Sequence, residues 1–301
     1  MPHLKRAGWL FAAGSLAVAG TTSGHVPGAL PDAGGDRWLI VTLLCLAVTW
    51  YGAGWFALWP HLRERREHAW RAAAYLGGCL ALAALLLGPI DAVAPRSFAV
   101  HMIQHEGLML VAAPLLVLGR PFPLYAWGLP ARARGSLVSL THTRWLRAVW
   151  GVVTAPFAAW LLHAAALWLW HAPPLFDAAV RDPTLHEWQH VSFLLSALIF
   201  WHALLRRQTH GAQGAAVVYL FTTTIHTGVL GALLSLAHTP YYAALQPGLG
   251  VWWGLTPLED QQLGGLIMWV PGALVYVGVG LWLAARWISG PRSQQGAQSL
   301  G

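Results

Sequence analysis

Apolar residues along this chain gather into long runs separated by short stretches rich in Arg, Pro and Gly. Seven runs reach spanning length, at about 38–59, 70–88, 98–118, 149–170, 187–205, 215–236 and 263–287. A helix rising 1.5 Å per residue needs roughly twenty residues to cross about 30 Å of hydrocarbon. The pattern predicts an all-α fold, a polytopic membrane bundle of seven transmembrane helices over residues 38–288. Ahead of it, residues 1–25 read as a signal segment. Lys5 and Arg6 open it, residues 7–16 are apolar, and Ala17-Val18-Ala19 forms a small-residue cleavage site. The apolar stretch 7–20 is too short to span comfortably. Residues 26–37 are expected to be a flexible periplasmic segment, and residues 289–301 a cytoplasmic tail. The stretches 119–148 and 237–262 are long enough for a short interfacial helix each, but no connection is long enough for a soluble domain.

Composition agrees with a lipid environment. The 301 residues are 56% hydrophobic and 10% charged, with mean hydropathy +0.52, whereas soluble domains are about a quarter charged. Most of the 19 Trp lie near the ends of apolar runs, where an amphipathic indole sits at headgroup level. The net charge of +7 reads as topology rather than nucleic-acid binding. Arg63, Arg65, Arg66, Arg71, Arg120, Arg132, Arg134, Arg144, Arg147, Arg206, Arg207, Arg286 and Arg292 fall on one side of the bundle. Only Arg37, Arg96 and Arg181 fall on the other. The positive-inside rule makes the first side cytoplasmic, with the N-terminus outside and the C-terminus inside. Acidic residues show the opposite bias. Asp32, Asp36, Asp91, Asp177, Asp182, Glu187, Glu259 and Asp260 lie outside, a rim that would attract a cation. Cys45 and Cys79 sit inside apolar runs with no CxxC spacing and read as small apolar residues.

This orientation collects histidines at the outer ends of several spans. His101 and His105 open the third, His171 ends the fourth, and His186 and His190 open the fifth. His163 lies about two turns deeper than His171. His226 is near the middle of the sixth span, and His238 is at its outer end. Each HxxxH pair puts two imidazoles on one helix face, one turn apart, within reach of a single metal ion. Met102 and Met109 lie within about 100° of His101 on an ideal helical wheel. Imidazole with thioether suits copper, and thioether favours Cu(I). Polar groups in lipid are costly and mark functional sites. The expected metal ligands are therefore His101, His105, His186 and His190, completed or relayed by Met102, Met109 or His171. Packing accounts equally well for the two methionines, and hydrogen bonding for His163 or His226 alone. Glu106 could orient a ligand or sit protonated between helices. Glu259 and Asp260 are explained as readily by the start of a helix, where negative charge is favoured, as by a metal.

The chain resembles the integral-membrane CtaG family of cytochrome c oxidase assembly factors over roughly residues 35–288. The resemblance rests on His101-Met102-Ile103-Gln104-His105, Ala113-Pro114-Leu115-Leu116-Val117-Leu118-Gly119-Arg120-Pro121 and Trp170-His171-Ala172-Pro173. It rests also on Leu175-Phe176-Asp177, His186-Glu187-Trp188-Gln189-His190 and Leu258-Glu259-Asp260-Gln261-Gln262, followed by Gly264-Gly265 and Met268-Trp269. It implies a seven-span bacterial inner-membrane protein, without enzymatic activity, that delivers copper to a haem–copper oxidase subunit in the membrane. The single-span copper chaperone sharing the family's name is not similar to this chain. Two other readings compete. A haem-binding membrane oxidoreductase would use spacings such as His190 to His202 and His226 to His238. A copper transporter would need polar groups continuing to the cytoplasmic face, where the spans are nearly all Leu, Ala, Val and Trp.

Overall fold

A computed structural model describes residues 34–61, 65–206, 210–244 and 254–289. The signal-segment expectation for residues 1–25, and most of the flexible segment and tail, lie outside them. Every regular element among the described residues is helical. In hydrocarbon no water can satisfy backbone N–H and C=O groups, and a helix pairs them all within one segment.

The spans are α1 (Gly34–Leu58) and α2 (Arg65–Leu86), followed by a short α3 (Pro89–Val93). The third span is a composite of α4 (Phe98–Glu106), a π-helical segment (Gly107–Ala112) and α5 (Ala113–Leu118). The connection that follows carries α6 (Pro121–Trp127) and α7 (Ala131–Thr141). The fourth span is α8 (Arg144–Val153) and α9 (Pro156–Trp170), bent by 62° between them. Then come α10 (Pro173–Arg181), α11 (Pro183–Arg206), α12 (His210–Ser235) and α13 (Pro257–Ile288). Among the described residues, six helices are long and apolar enough to cross a membrane, and seven when the bent pair counts as one span. That matches the sequence expectation.

Element boundaries differ where side chains cap the helices. α13 begins at Pro257, not near 263, because Thr256 and Glu259 form a capping box: the Thr256 hydroxyl accepts from the Glu259 N–H and the Glu259 carboxylate accepts from the Thr256 N–H. α11 begins at Pro183 because Asp182 accepts from the N–H groups of Thr184 and Leu185. α1 begins at Gly34, inside the segment expected to be flexible, and Arg37 there pairs with Asp91 at 3.6 Å. α10, in the outer connection between the fourth and fifth spans, was not anticipated by a hydropathy pattern.

The most extensive helix pairing is α12 with α13. Small residues permit it. A Cβ at Gly265 would lie 2.7 Å from the Gly231 carbonyl and 2.6 Å from the Ser235 hydroxyl. Close backbone approach of this kind is how helices associate in lipid, where lipid tails are as apolar as Leu. α13 packs also on α4, and α9 on α11. The main core runs through these helices, with Phe98, Met102, Phe193, Phe200, Trp201 and Tyr276 among its buried members. Their outward faces (Val218, Phe221, Leu274 and Leu281, for example) are exposed, as lipid-facing positions are.

The π segment of the third span has a local cause. Its hydrogen bonds reach back five residues, as in Ala113 N–H to the Leu108 carbonyl. The next donor in that series would be Pro114, which has no N–H. The Met109 carbonyl is therefore free, and the buried indole of Trp201 donates to it at 2.8 Å. Trp201→Phe leaves that carbonyl buried and unpaired, at an expected cost of about 1–3 kcal/mol. A lowered midpoint of thermal unfolding in detergent checks it; an unchanged midpoint would contradict this account of the π segment.

Candidate metal centre

The start of α4 is held by an acid from another helix. Asp260, in the first turn of α13, accepts from the Ser97 hydroxyl at 2.7 Å and from the N–H groups of Phe98 and Ala99 at 2.6 and 3.2 Å. Ser97 in turn caps Val100 N–H. The first backbone donors of the helix are thus satisfied by a carboxylate, which the helix dipole also favours. Gly264, one turn along α13, has no side chain to strike the Phe98 ring, so the two helices close on one another.

α4 then presents His101 and His105 to the bundle interior, each 1% exposed. Their ring centroids are 4.2 Å apart. α11 brings His186 and His190, 4.3 Å apart, onto the same space. Across the helices His101 lies 5.2 Å from His186, and His105 lies 5.3 Å from His190. The two HxxxH pairs face each other as four imidazoles. Ligand nitrogens of His101, His105 and His186 all lie within 4.8 Å of one another. Ligands on a tetrahedral ion with bonds near 2.0 Å are roughly 3.3 Å apart, so modest side-chain rotation closes the set on one ion.

Both nitrogens of His105, and Nε2 of His186 and of His190, are buried without a hydrogen-bond partner, while His101 has the Ala94 backbone and the Gln189 side chain as loose polar neighbours. Native buried polar atoms are nearly always paired, so so many unpaired nitrogens aimed at one another form a donor set that awaits an acceptor of lone pairs. A metal ion is such an acceptor, and the residues present fit it.

His171 and Met102 extend the set. His171 caps the end of α9, and its Nδ1 lies 2.7 Å from the Leu167 carbonyl. A carbonyl only accepts, so in the neutral ring Nδ1 carries the proton and Nε2 keeps its lone pair. That Nε2 is 3.4 Å from the Met102 sulfur, close to the separation of a nitrogen and a sulfur on one tetrahedral ion with bonds of about 2.0 and 2.3 Å. His171 is 6.5 Å from His105, centroid to centroid. Met109 is buried in the same hydrophobic core cluster as Met102, inside the π segment.

A strap closes the outer end. Tyr242 donates to the His171 carbonyl at 3.0 Å. The N–H groups of Ala243 and Ala244 donate to Asp177, and Tyr241 N–H donates to Gln261. The Tyr242 ring stacks on Phe98 and packs at a tilt against Phe176, and Phe176 lies 5.2 Å from His101. The Glu259-Asp260-Gln261-Gln262 run is therefore a structural brace: Glu259 caps α13, Asp260 caps α4, and Gln262 donates to the Ala237 carbonyl. Of the acids expected to recruit a cation, Asp91, Asp177, Asp182, Glu259 and Asp260 have structural partners.

One polar side chain was overlooked. Gln189 is wholly buried between His186 and His190, and its amide faces His101 as a loose polar neighbour. Its place three residues after His186 puts it on the same helix face, which the sequence already contained. Gln104 is better satisfied, donating to the Leu85 carbonyl and to Asp91. Asp260→Ala strips several donors at the start of α4 of their acceptor and should destabilise the protein by about 1–3 kcal/mol. Comparing unfolding midpoints of the two proteins in one detergent measures it, and equal midpoints would remove Asp260 as the anchor of the site.

Comparison with known proteins places this architecture. Residues 49–290 match the family described as cytochrome c oxidase caa3 assembly factor. Similar curated proteins include uncharacterised proteins of Mycobacterium bovis and Mycobacterium tuberculosis. Each is 29% identical over 253 residues, which is 79% of this chain and 36% of the relative. An uncharacterised protein of Mycobacterium leprae is 27% identical over 266 residues, 83% of this chain and 39% of its own length. The chain thus spans little more than a third of the length of these relatives. No solved structure matches it. The matched segment takes in the facing histidine pairs, the strap and the bracing acids, and on it the chain belongs to the cytochrome c oxidase caa3 assembly factor family.

Proposed function

We propose that this protein assists assembly of a haem–copper cytochrome c oxidase by binding Cu(I) among His101, His105, His186 and His190 and passing it to an oxidase subunit in the membrane. The observation that carries this reading is the convergence of two HxxxH pairs from α4 and α11, with buried nitrogens that have no hydrogen-bond partner. Met102 with His171 supplies a thioether and a further imidazole beside them. Neutral imidazole and thioether are ligands for a soft monovalent ion. They also leave the site uncharged when empty, so the bundle need not bury a carboxylate there.

The protein would lie in the bacterial inner membrane with the cluster on the periplasmic side. The arginine distribution supports this orientation. Loading would take place beneath the strap of Tyr241–Ala244, the segment that roofs His101 through Tyr242 and Phe176. Imidazole packed on imidazole at 4.2–5.3 Å suits an ion better than a porphyrin, which favours copper over the haem reading for this cluster. The role is that of a carrier rather than a catalyst. Transfer needs release as well as capture, and a donor set wider than an ideal tetrahedron serves both.

Full-length protein purified in detergent and loaded anaerobically with Cu(I) should retain stoichiometric copper, and His101→Ala/His105→Ala should lose most of it. Metal analysis after desalting reads the difference. Equal copper in both proteins would exclude this cluster as the site.

A further inference from the structure

The metal centre offers more donors than one ion can use. Four imidazoles converge from α4 and α11, and the imidazole of His171 and the thioether of Met102 stand beside them. A closed-shell ion such as Cu(I) takes about four ligands. The surplus pair also differs in place. His101 and His105 turn to α11, whereas Met102 turns to the end of α9 and to α13. Its sulfur lies 3.4 Å from His171 Nε2, and a Cβ at Gly264 would come within 3.2 Å of its Cγ. The His171 ring is 6.5 Å from His105, beyond the 4.2–5.3 Å that separates neighbours within the four.

The contact between His171 and Met102 is not a hydrogen bond. His171 Nδ1 sits 2.7 Å from the Leu167 carbonyl, which can only accept, so in the neutral ring Nε2 has no hydrogen to give. A thioether has none either. Two lone pairs therefore face each other across 3.4 Å, where His171 is 5% exposed and Met102 is wholly buried. Buried polar atoms are nearly always paired, and what satisfies two lone pairs at once is an electron-pair acceptor. The separation is close to the ~3.5 Å between a nitrogen and a sulfur on one tetrahedral ion with bonds of about 2.0 and 2.3 Å.

We propose that Met102 and His171 form a second Cu(I) position, separate from the four histidines, from which the ion passes to its recipient. The identity of the ion rests on the copper reading of the four-histidine centre; the position itself rests on its own facing lone pairs. A thioether selects the soft monovalent ion. Two protein ligands leave coordination open for donors of the recipient subunit, so the ion moves by exchanging ligands and keeps its oxidation state. The strap fits this order. It is fastened to His171, whose carbonyl accepts from Tyr242, and the Tyr242 ring stacks on Phe98, one turn before Met102. Release of the strap would uncover the pair at the outer end of the bundle. Two ligands hold an ion more loosely than four, so this position is read in titration and not after desalting.

The test is anaerobic Cu(I) titration of the full chain in detergent against a chromogenic chelator, with X-ray absorption at the copper edge on the saturated samples. Wild type is compared with Met102→Leu and with His101→Ala/His105→Ala/His186→Ala/His190→Ala. Leu has nearly the volume of Met, so the core tolerates that change. The expected wild type holds two ions per chain and shows a sulfur neighbour at about 2.3 Å. Met102→Leu should keep one ion with nitrogen neighbours alone, and the quadruple variant one ion that retains sulfur. A single wild-type ion bearing sulfur would make Met102 a ligand of the four-histidine ion and overturn the second position. A single ion without sulfur, or Met102→Leu equal to wild type, would overturn it and leave the four-histidine site standing. A quadruple variant without copper would overturn the separateness of the position. A quadruple variant equal to wild type, with Met102→Leu depleted, would overturn the four-histidine reading and keep the Met102–His171 pair. No copper on the wild type would remove both. Should Met102→Leu fail to fold, by size exclusion and circular dichroism, His171→Gln is titrated in its place. Loss of one ion and of the sulfur neighbour supports the proposal, and an unchanged count defeats it.

Discussion

Inside a bilayer there is no water to fall back on, and this governs the whole molecule. Each backbone N–H and C=O must find a partner in the chain, and the exceptions become informative. The Met109 carbonyl, freed by the π segment and Pro114, takes the Trp201 indole. The open N–H groups at the start of α4 take the Asp260 carboxylate. Against this pairing, the partnerless nitrogens of His105, His186 and His190 stand out.

The same constraint explains how a site can be precise without charge. α4, α9, α11 and α13 meet at one end because Gly264 and Gly265 let α13 approach, and because Asp260 ties α13 to α4. The strap of residues 241–244 is fastened at Asp177, Gln261 and the His171 carbonyl. Tyr242, Phe98 and Phe176 then form an aromatic roof over His101. Most acids on this side are engaged as caps and braces. A role for them in attracting an ion is secondary to holding the helices that carry the imidazoles.

Membership of an oxidase assembly family and the geometry of the site point the same way without depending on one another. Family membership rests on residues 49–290 as a whole. The copper proposal rests on where particular nitrogens and one sulfur lie.

The sequence by itself determined the helical class, the spans and the facing of each HxxxH pair, because hydropathy over twenty residues and a spacing of four are local properties of one helix. It also picked out His171 and Met102, which the structure places 3.4 Å apart. Three matters were decided only by the tertiary structure. The π segment around Met109 was one, since the Met109 carbonyl it frees is taken by Trp201 from another span. The acids at 259 and 260 resolved into caps, since Asp260's partners lie about 160 residues away in sequence. The pairing of His163 with Ser196, and of Trp160 with His226, was invisible along the chain because it depends on which helices are neighbours. In a membrane bundle, lipid fixes that each helix exists, while small residues and interhelical hydrogen bonds fix which helices meet.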